Sequence, residues 1–182
     1  MGGHPLTETE SKPLTIGHFL GGVGALIWDP ATNKYLLLRR ANHRDFQGGM
    51  WECLTGRVDQ GESYTQALHR EVREEIGAEA QIEFIIATTH FYRGEEKPDN
   101  ELLGVIYGCT IQDPAKAKFG EEHSEQRWVT VEEAEELLPI RHWLRNVLHR
   151  GEKMRALLPA KLRQEFRQYG FEDVREPGAE EA

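Results

Sequence analysis

The sequence has few cysteines and no long apolar segment. Only two of its 182 residues are cysteine; Cys53 and Cys109 both lie in apolar, strand-like runs, so we interpret them as buried side chains rather than as a disulfide or a metal-binding pair. No apolar run approaches about 18 residues, so no membrane-spanning helix is predicted. The N-terminus has no charged-then-apolar leader, and we therefore expect a cytoplasmic protein.

Positive charge is also scarce relative to negative charge. The chain has 22 Lys and Arg against 31 Asp and Glu, which gives a formal net charge of −9. This balance argues against a surface that coats a nucleic acid polymer, because such binding depends on neutralising many phosphates. It is compatible with a small phosphorylated ligand, which needs only a local cluster and a metal ion. A chain of this length suits one domain with a sizeable core.

The most informative stretch runs from Gly56 to Ala78. The segment 63–76 contains neither glycine nor proline and is dominated by Ala, Leu, Gln, Arg and Glu, which favours a helix. Ser63 is a candidate N-cap and Gln66 completes a capping box. Gly77 is a candidate stop.

The predicted helix has an apolar stripe and an acidic arc beside it. At about 100° per residue, Leu68, Val72 and Ile76 share the stripe. Three acids occupy the arc: Glu71, Glu74 and Glu75. Like charges at this spacing destabilise a helix by a few tenths of a kcal/mol per pair. A divalent cation would remove that cost, and Mg²⁺ prefers oxygen ligands. The alternative is a solvated acidic face, but these acids border the apolar stripe instead of lying opposite it.

The spacing of this stretch resembles the Nudix box, G-x5-E-x7-R-E-U-x-E-E-x-G-U, in which U is aliphatic. Gly56, Glu62 and the run from Arg70 to Ala78 fill every defined position, and Ala78 is the weakest of the aliphatic residues. Where the family commonly has Pro-Gly-Gly, this chain has Leu-Thr-Gly ending at Gly56. A backbone carbonyl expected near the metal would then come from Thr55.

The resemblance implies a metal-dependent hydrolase that cleaves a phosphoanhydride bond in a nucleoside diphosphate linked to another moiety X, with Mg²⁺ or Mn²⁺ as cofactor. The substrate would be a small nucleotide or another diphosphate, with a nucleoside triphosphate as the default. Two alternatives remain open at this point. One is a non-catalytic nucleotide-binding module, although such modules typically lose acids of the box. The other is a prenyl diphosphate isomerase of the same fold, but the expected cysteine context is not evident around Cys53.

The resemblance also implies residue roles. Glu74 and Glu75 would bind the metal, and Glu71 would be either a ligand or the general base. Arg70 would pair with Glu62 and orient Glu71, and Gly56 would let the loop turn tightly into the helix.

A further acidic ligand often comes from the loop before the last strand. Glu122 lies six residues before Trp128, and Glu125 lies three before it. We expect Glu122 to be the ligand and keep Glu125 as a candidate base.

Strand-like runs flanked by helices, together with the resemblance, predict an α/β/α sandwich with a mixed β-sheet and additional C-terminal helices. We divide the chain into a flexible N-terminal arm (1–14), a Nudix hydrolase domain (15–150), a C-terminal helical extension (151–170) and an acidic tail (171–182).

Two further expectations concern the C-terminal helices. An amphipathic helix starts with Ile140 on its apolar face and ends at Gly151. The apolar residues of the extension need a partner surface, supplied either by the domain itself or by a second subunit in a homodimer.

Overall fold

The structure is a computed structural model that describes residues 17–43 and 47–173. The predicted arm (1–14) lies outside the described residues, as does the predicted tail beyond Asp173. The chain order is β1 (Leu20–Asp29), β2 (Lys34–Arg40), β3 (Trp51–Glu52), β4 (Leu54–Arg57), α1 (Tyr64–Ile76), β5 (Ala80–Tyr92), β6 (Glu101–Ile111), β7 (His123–Val129), α2 (Val131–Leu137), α3 (Trp143–Leu157) and α4 (Ala160–Tyr169).

Within the described residues, seven strands form one mixed sheet. Its main path runs β3-β2-β1-β6-β5, while β4 pairs with β1 and β7 pairs with β2. Strands β1 and β6 are parallel, and the other pairs are antiparallel. A long antiparallel pair joins β5 and β6. Strand β1 pairs with both β4 and β6. Because β4 leads into α1, its pairing with β1 fixes where the helix approaches the sheet.

The sheet is buried on both faces, which confirms the predicted α/β/α sandwich. Side chains alternate along β1, so Ala25 and Ile27 pack in the cluster that contains the apolar stripe of α1. Leu26 and Trp28 pack in the cluster that contains the buried face of α3. A strand covered on both sides is apolar throughout rather than alternating. Each such buried aliphatic side chain contributes roughly 1.5–3 kcal/mol of transfer free energy.

Helix α1 begins and ends where the sequence predicts. The Ser63 side chain accepts a hydrogen bond from the Gln66 backbone N–H, and the Gln66 side chain accepts one from the Ser63 N–H. Gly77 ends the helix in the left-handed region, with φ of 66°. In the C-terminal segment, the Glu172 carboxylate also accepts bonds from the N–H groups of Tyr64 and Thr65. Both ends of the helix that carries the acids are therefore fixed.

Two predictions about α3 are wrong. Gly151 does not end the helix, which continues to Leu157 and crosses the proposed boundary between residues 150 and 151. The glycine is buried, and a Cβ there would lie 2.8 Å from Leu26 Cδ2, so it serves close contact between helix and sheet. Ile140 precedes the helix and is 88% exposed, whereas Leu144 and other residues of the predicted face are buried.

Helix α4 is tied to the sheet through a buried acid. Glu83 of β5 is 4% exposed, and its Oε2 accepts hydrogen bonds from Arg163 Nε at 3.2 Å and Arg167 Nη1 at 2.7 Å. Leu157 and Tyr169 are 78% and 87% exposed, so this fold does not cover them. The homodimer therefore stays a prediction. None of the helices in the described ranges is both long and apolar enough to span a bilayer.

These contacts predict that α4 is integral to the folded unit. Arg167→Ala removes a charged partner of a buried carboxylate, and we expect it to lower the free energy of unfolding by about 1–3 kcal/mol. Lys161→Ala on the same helix is the matched control, because Lys161 is largely exposed and forms only a 4.0 Å ion pair. Urea denaturation should separate the two variants. Equal stability would mean that α4 is an independent appendage.

Candidate metal-binding and catalytic site

Helix α1 presents its three acids at three different depths. Glu75 is only 8% exposed, the Glu71 side chain is 14% exposed, and the Glu74 side chain is 60% exposed. This gradient follows from their positions relative to the apolar stripe, since at 100° per residue Glu75 lies about 20° from Leu68, Glu71 about 60° and Glu74 about 120°. The side chains of Glu71, Glu74 and Glu75 therefore form an acidic wall on α1 that extends from the solvent to the core. They do not form a uniformly solvated face.

Arg70 connects the predicted catalytic acids. Its Nε and Nη2 bind the two carboxylate oxygens of Glu62 at 2.8 and 2.9 Å, a two-point contact between planar groups. Its Nη1 binds Glu71 Oε1 at 2.8 Å and Glu74 Oε2 at 3.3 Å, and Nη2 also binds the Arg57 carbonyl. The guanidinium holds the pKa of Glu62 down at about 2. The pairing implied by the resemblance is thus present.

Gly56 does not act through a tight turn. It lies in β4, where it pairs with Val23 of β1, and it is absent from the glycines with positive φ. A Cβ at this position would overlap the carboxyl group of Glu71. Glycine is therefore required because the strand backbone passes directly against that acid. The tight turn lies further on, at Gly61, where φ is 90°.

Glu75 is the most constrained of the acids. Burial raises its pKa well above the usual range, and repulsion from Glu71, Glu52 and Glu122 raises it further, against a smaller opposing effect of Arg40. In the described part of the chain its Oε2 is fully buried and has no hydrogen-bond partner. An unpaired buried carboxylate oxygen is costly. A divalent cation would satisfy that oxygen and cancel the repulsion, so the donor set fits such an ion.

The loop before β7 docks on the C-terminal turn of α1. The Lys118 N–H donates to the Ile76 carbonyl at 3.1 Å, and the Gly120 N–H donates to the Glu75 carbonyl at 2.8 Å. Carbonyls at a helix C-terminus have no partner within the helix, so the loop supplies what this end needs. The loop is therefore positioned by backbone contacts with the same turn that carries Glu75.

This docking brings Glu122 toward the acids of α1. The Glu122 carbonyl accepts a hydrogen bond from the Ala41 N–H at 2.9 Å, and its side-chain charge is one of those that raise the pKa of Glu75. Glu125 lies instead on β7, where its Oε1 binds Arg127 at 2.6 Å. Glu122 thus affects Glu75 directly, whereas Glu125 is paired with Arg127, and Glu122 as the additional ligand stays a prediction.

The acidic side chains of the described residues do not converge on one point as metal ligands would. Across residues 17–43 and 47–173, no group of three or more His, Cys, Asp or Glu side chains is arranged to hold a metal ion. Arg70 accounts for part of this arrangement, because it turns Glu71 and Glu74 toward its own guanidinium. A cation would have to draw these carboxylates away from Arg70 and toward Glu75.

Sequence reasoning missed three buried polar residues next to the acids. Arg40 is the last residue of β2, yet it is 9% exposed and binds Glu52 Oε1 at 2.8 Å. His123 is 5% exposed, and its Nε2 lies 3.3 Å from the same oxygen. One signal was available: Glu52 is a lone charge within an otherwise apolar run, between Trp51 and Cys53.

Comparison with known proteins adds independent information. A family model described as NUDIX domain matches residues 18–151. The octanoyltransferase of Myxococcus xanthus is 35% identical over 107 residues, which are 59% of this chain but only 29% of that protein. The nucleoside triphosphatase NudI of Escherichia coli O139:H28 is 29% identical over 106 residues, which cover 54% of this chain and 74% of that protein.

Among solved structures, a MutT protein from Methanosarcina mazei Go1 superposes with a TM-score of 0.63. It is 24% identical, and the match covers 78% of this chain and 99% of that chain. At this identity the likeness concerns the fold, and it agrees with the sandwich described above.

The Arg70 contacts predict that Arg70 and Glu62 act as one unit. Arg70→Ala and Glu62→Ala should each lower the rate of hydrolysis, and the double variant should lose less than the two single losses combined. Arg70→Ala removes the partner of Glu71, and Glu62→Ala removes the two-point contact that holds Arg70 beside Glu71. Steady-state rates of the four proteins give the coupling.

Arg73 and Glu79 provide the matched control. They form a similar two-point pair from the same helix, at 2.8 and 3.1 Å, but both side chains are at least 60% exposed. Alanine changes there should leave the rate nearly unchanged. Strictly additive losses for Arg70 and Glu62 would show that their pairing has no catalytic role.

Proposed function

Because this chain belongs to the Nudix family, we propose that it is a metal-dependent pyrophosphohydrolase that cleaves a phosphoanhydride bond in a nucleoside diphosphate linked to another moiety X. The observation that carries the proposal is Glu75, whose buried, unpaired Oε2 lies among mutually repelling carboxylates at the wall of α1. A solvated acidic surface would not place a carboxylate there.

Four acids would hold Mg²⁺ or Mn²⁺: Glu71, Glu74, Glu75 and Glu122. A divalent ion bound there neutralises charge that builds on phosphate oxygens and lowers the pKa of bound water. Glu122 approaches on the docked loop, and Glu75 is held within the helix. Arg70 holds Glu71 and Glu74 on the same side of α1, and a bound ion would compete with it for these carboxylates.

Glu71 remains either a ligand or the general base. Burial raises its pKa, and the hydrogen bond from Arg70 opposes that effect. A raised pKa moves a carboxylate nearer to neutral pH, where it accepts a proton from water more effectively. Gly56 allows this half-buried position, because any side chain at residue 56 would displace the acid.

A nucleoside triphosphate is the substrate class we propose as the default. The relative named nucleoside triphosphatase NudI supports it, with 29% identity over 106 residues. The octanoyltransferase name gives no comparable support, since the chain spans 29% of that protein.

The prenyl diphosphate isomerase alternative requires a reactive cysteine. Both cysteines of the chain are fully buried, with 0% exposure, and burial raises the pKa of each thiol. Neither is suited to contact a substrate. The non-catalytic binding module is opposed by the complete set of box acids, from Glu62 to Glu75, and is left to experiment.

Metal dependence is the first test. Phosphate or pyrophosphate release should be measured over a panel of nucleoside triphosphates and other nucleoside diphosphate derivatives. Activity on at least one compound should disappear with EDTA and return with Mg²⁺ or Mn²⁺. Nucleotide binding without turnover in either metal would favour the binding module.

Glu75→Gln tests the ligand assignment with almost no change of shape. We expect kcat to fall by on the order of 10²–10³, the scale seen when one electrostatic stabiliser of a transition state is removed. Lost repulsion should at the same time make the metal-free protein slightly more stable, and Mg²⁺ should raise its melting temperature less than that of the wild type.

Glu79→Gln is the matched control for this substitution, because Glu79 is an exposed acid just beyond the same helix. It should retain wild-type kcat and the wild-type response to Mg²⁺. If Glu75→Gln behaves like this control, Glu75 is not a metal ligand.

A further inference from the structure

Four buried polar side chains form a continuous row behind the acidic wall. Arg40 Nη1 binds Glu52 Oε1 at 2.8 Å, His123 Nε2 lies 3.3 Å from that oxygen, and His123 Nδ1 lies 3.8 Å from Glu75 Oε2. All four residues are at most 9% exposed. They come from β2, β3, β7 and α1, so the row crosses the fold and ends at the predicted metal ligand.

The last contact of this row is incomplete. His123 Nδ1 and Glu75 Oε2 face each other, and among the described residues neither atom has a hydrogen-bond partner. A separation of 3.8 Å is too long for a hydrogen bond. Buried polar atoms without partners are rare and costly, and two of them facing each other can satisfy one another after a small movement.

The histidine ring is held in this orientation from two sides. Glu52, itself fixed by Arg40, contacts the Nε2 edge of the ring, so the ring cannot turn away from Glu75 without losing that contact. The His123 backbone N–H donates to the Gly120 carbonyl at 3.2 Å, in the loop that docks on the Glu75 carbonyl. The imidazole and the carboxylate therefore share one rigid local frame.

We propose that His123 is a positioning residue for Glu75. This proposal rests on the function proposed above and extends it beyond the box to a residue 48 positions further along the chain. A small movement of the Glu75 carboxylate on binding an ion would close the 3.8 Å gap, and a hydrogen bond donated by Nδ1 would then fix the orientation of the carboxylate. The ring donates from both nitrogens when it is an imidazolium. Glu52 and Arg40 act through His123 by holding its ring. Groups that orient a metal ligand in this way typically contribute 10–100-fold to metal affinity or activity.

Metal affinity without nucleotide is the decisive measurement. Mn²⁺ should be titrated into the full chain, with free Mn²⁺ followed by electron paramagnetic resonance. We expect His123→Phe, which keeps the ring and removes both nitrogens, to weaken Mn²⁺ binding by about 10–100-fold. In a Glu75→Gln background the same change should have little further effect, since the positioned group is already altered.

Conservative variants separate positioning from general packing. An Asn side-chain amide can occupy the place of Nδ1, and a Gln amide can occupy the place of Nε2. His123→Asn should therefore retain more Mn²⁺ affinity than His123→Gln. This comparison also decides the question if His123→Phe proves too unstable to fold, and equal affinities for Asn and Gln would overturn the proposal.

Val147→Ala is the control for a loosened core. Val147 is 4% exposed but belongs to the cluster on the other face of the sheet. It should lower stability and leave Mn²⁺ affinity unchanged. If the wild type binds Mn²⁺ and hydrolyses nucleotides while His123→Phe binds Mn²⁺ equally well, the positioning role is wrong and the function stands. If the wild type neither binds Mn²⁺ nor hydrolyses any nucleotide, the proposed function itself fails.

Discussion

Negative charge is concentrated where α1 meets β4, at a depth where water screens it poorly. Glu75 is buried there, Glu71 is pressed against the backbone at Gly56, and the charge of Glu122 reaches Glu75 from a separate loop. Repulsion among carboxylates in such a place has to be offset by positive charge. Arg70 offsets it on the solvent side and Arg40 on the buried side. Much of the local architecture serves to place these two guanidinium groups beside the carboxylates.

The sheet makes this concentration of charge tolerable. Strands β1 and β2 are covered on both faces, so the apolar clusters on the two sides provide stability that does not depend on the acids. Helix α1 lies on one of these clusters through Leu68, Val72 and Ile76. The acids can then occupy the adjoining arc at a cost the remainder of the fold can bear. Sites that are preorganised for chemistry commonly lower the stability of the fold slightly.

Local signals predicted α1 well, because its composition, capping box and terminal glycine all agree. They failed where a residue serves a distant contact. Gly151 was taken as a helix end, but it lies inside α3 because Leu26 leaves no room for a Cβ. Glu52 and His123 are 71 residues apart, and no periodicity or spacing relates two such positions.

The loop that carries Glu122 is held at α1 by main-chain hydrogen bonds from Lys118 and Gly120. Main-chain donors are the same for every residue except proline, so these two bonds do not depend on the side chains at residues 118 and 120, while the Gln126 side chain adds bonds to the Phe119 N–H and the Ala117 carbonyl. These two positions can therefore change to any residue but proline while the anchor persists. We would expect related chains to show a poorly matching segment here that still delivers an acid to the same place, and alignments to misplace it. In a related structure, this acid is better located by finding the loop whose N–H groups bond the last carbonyls of the helix than by searching for a sequence motif.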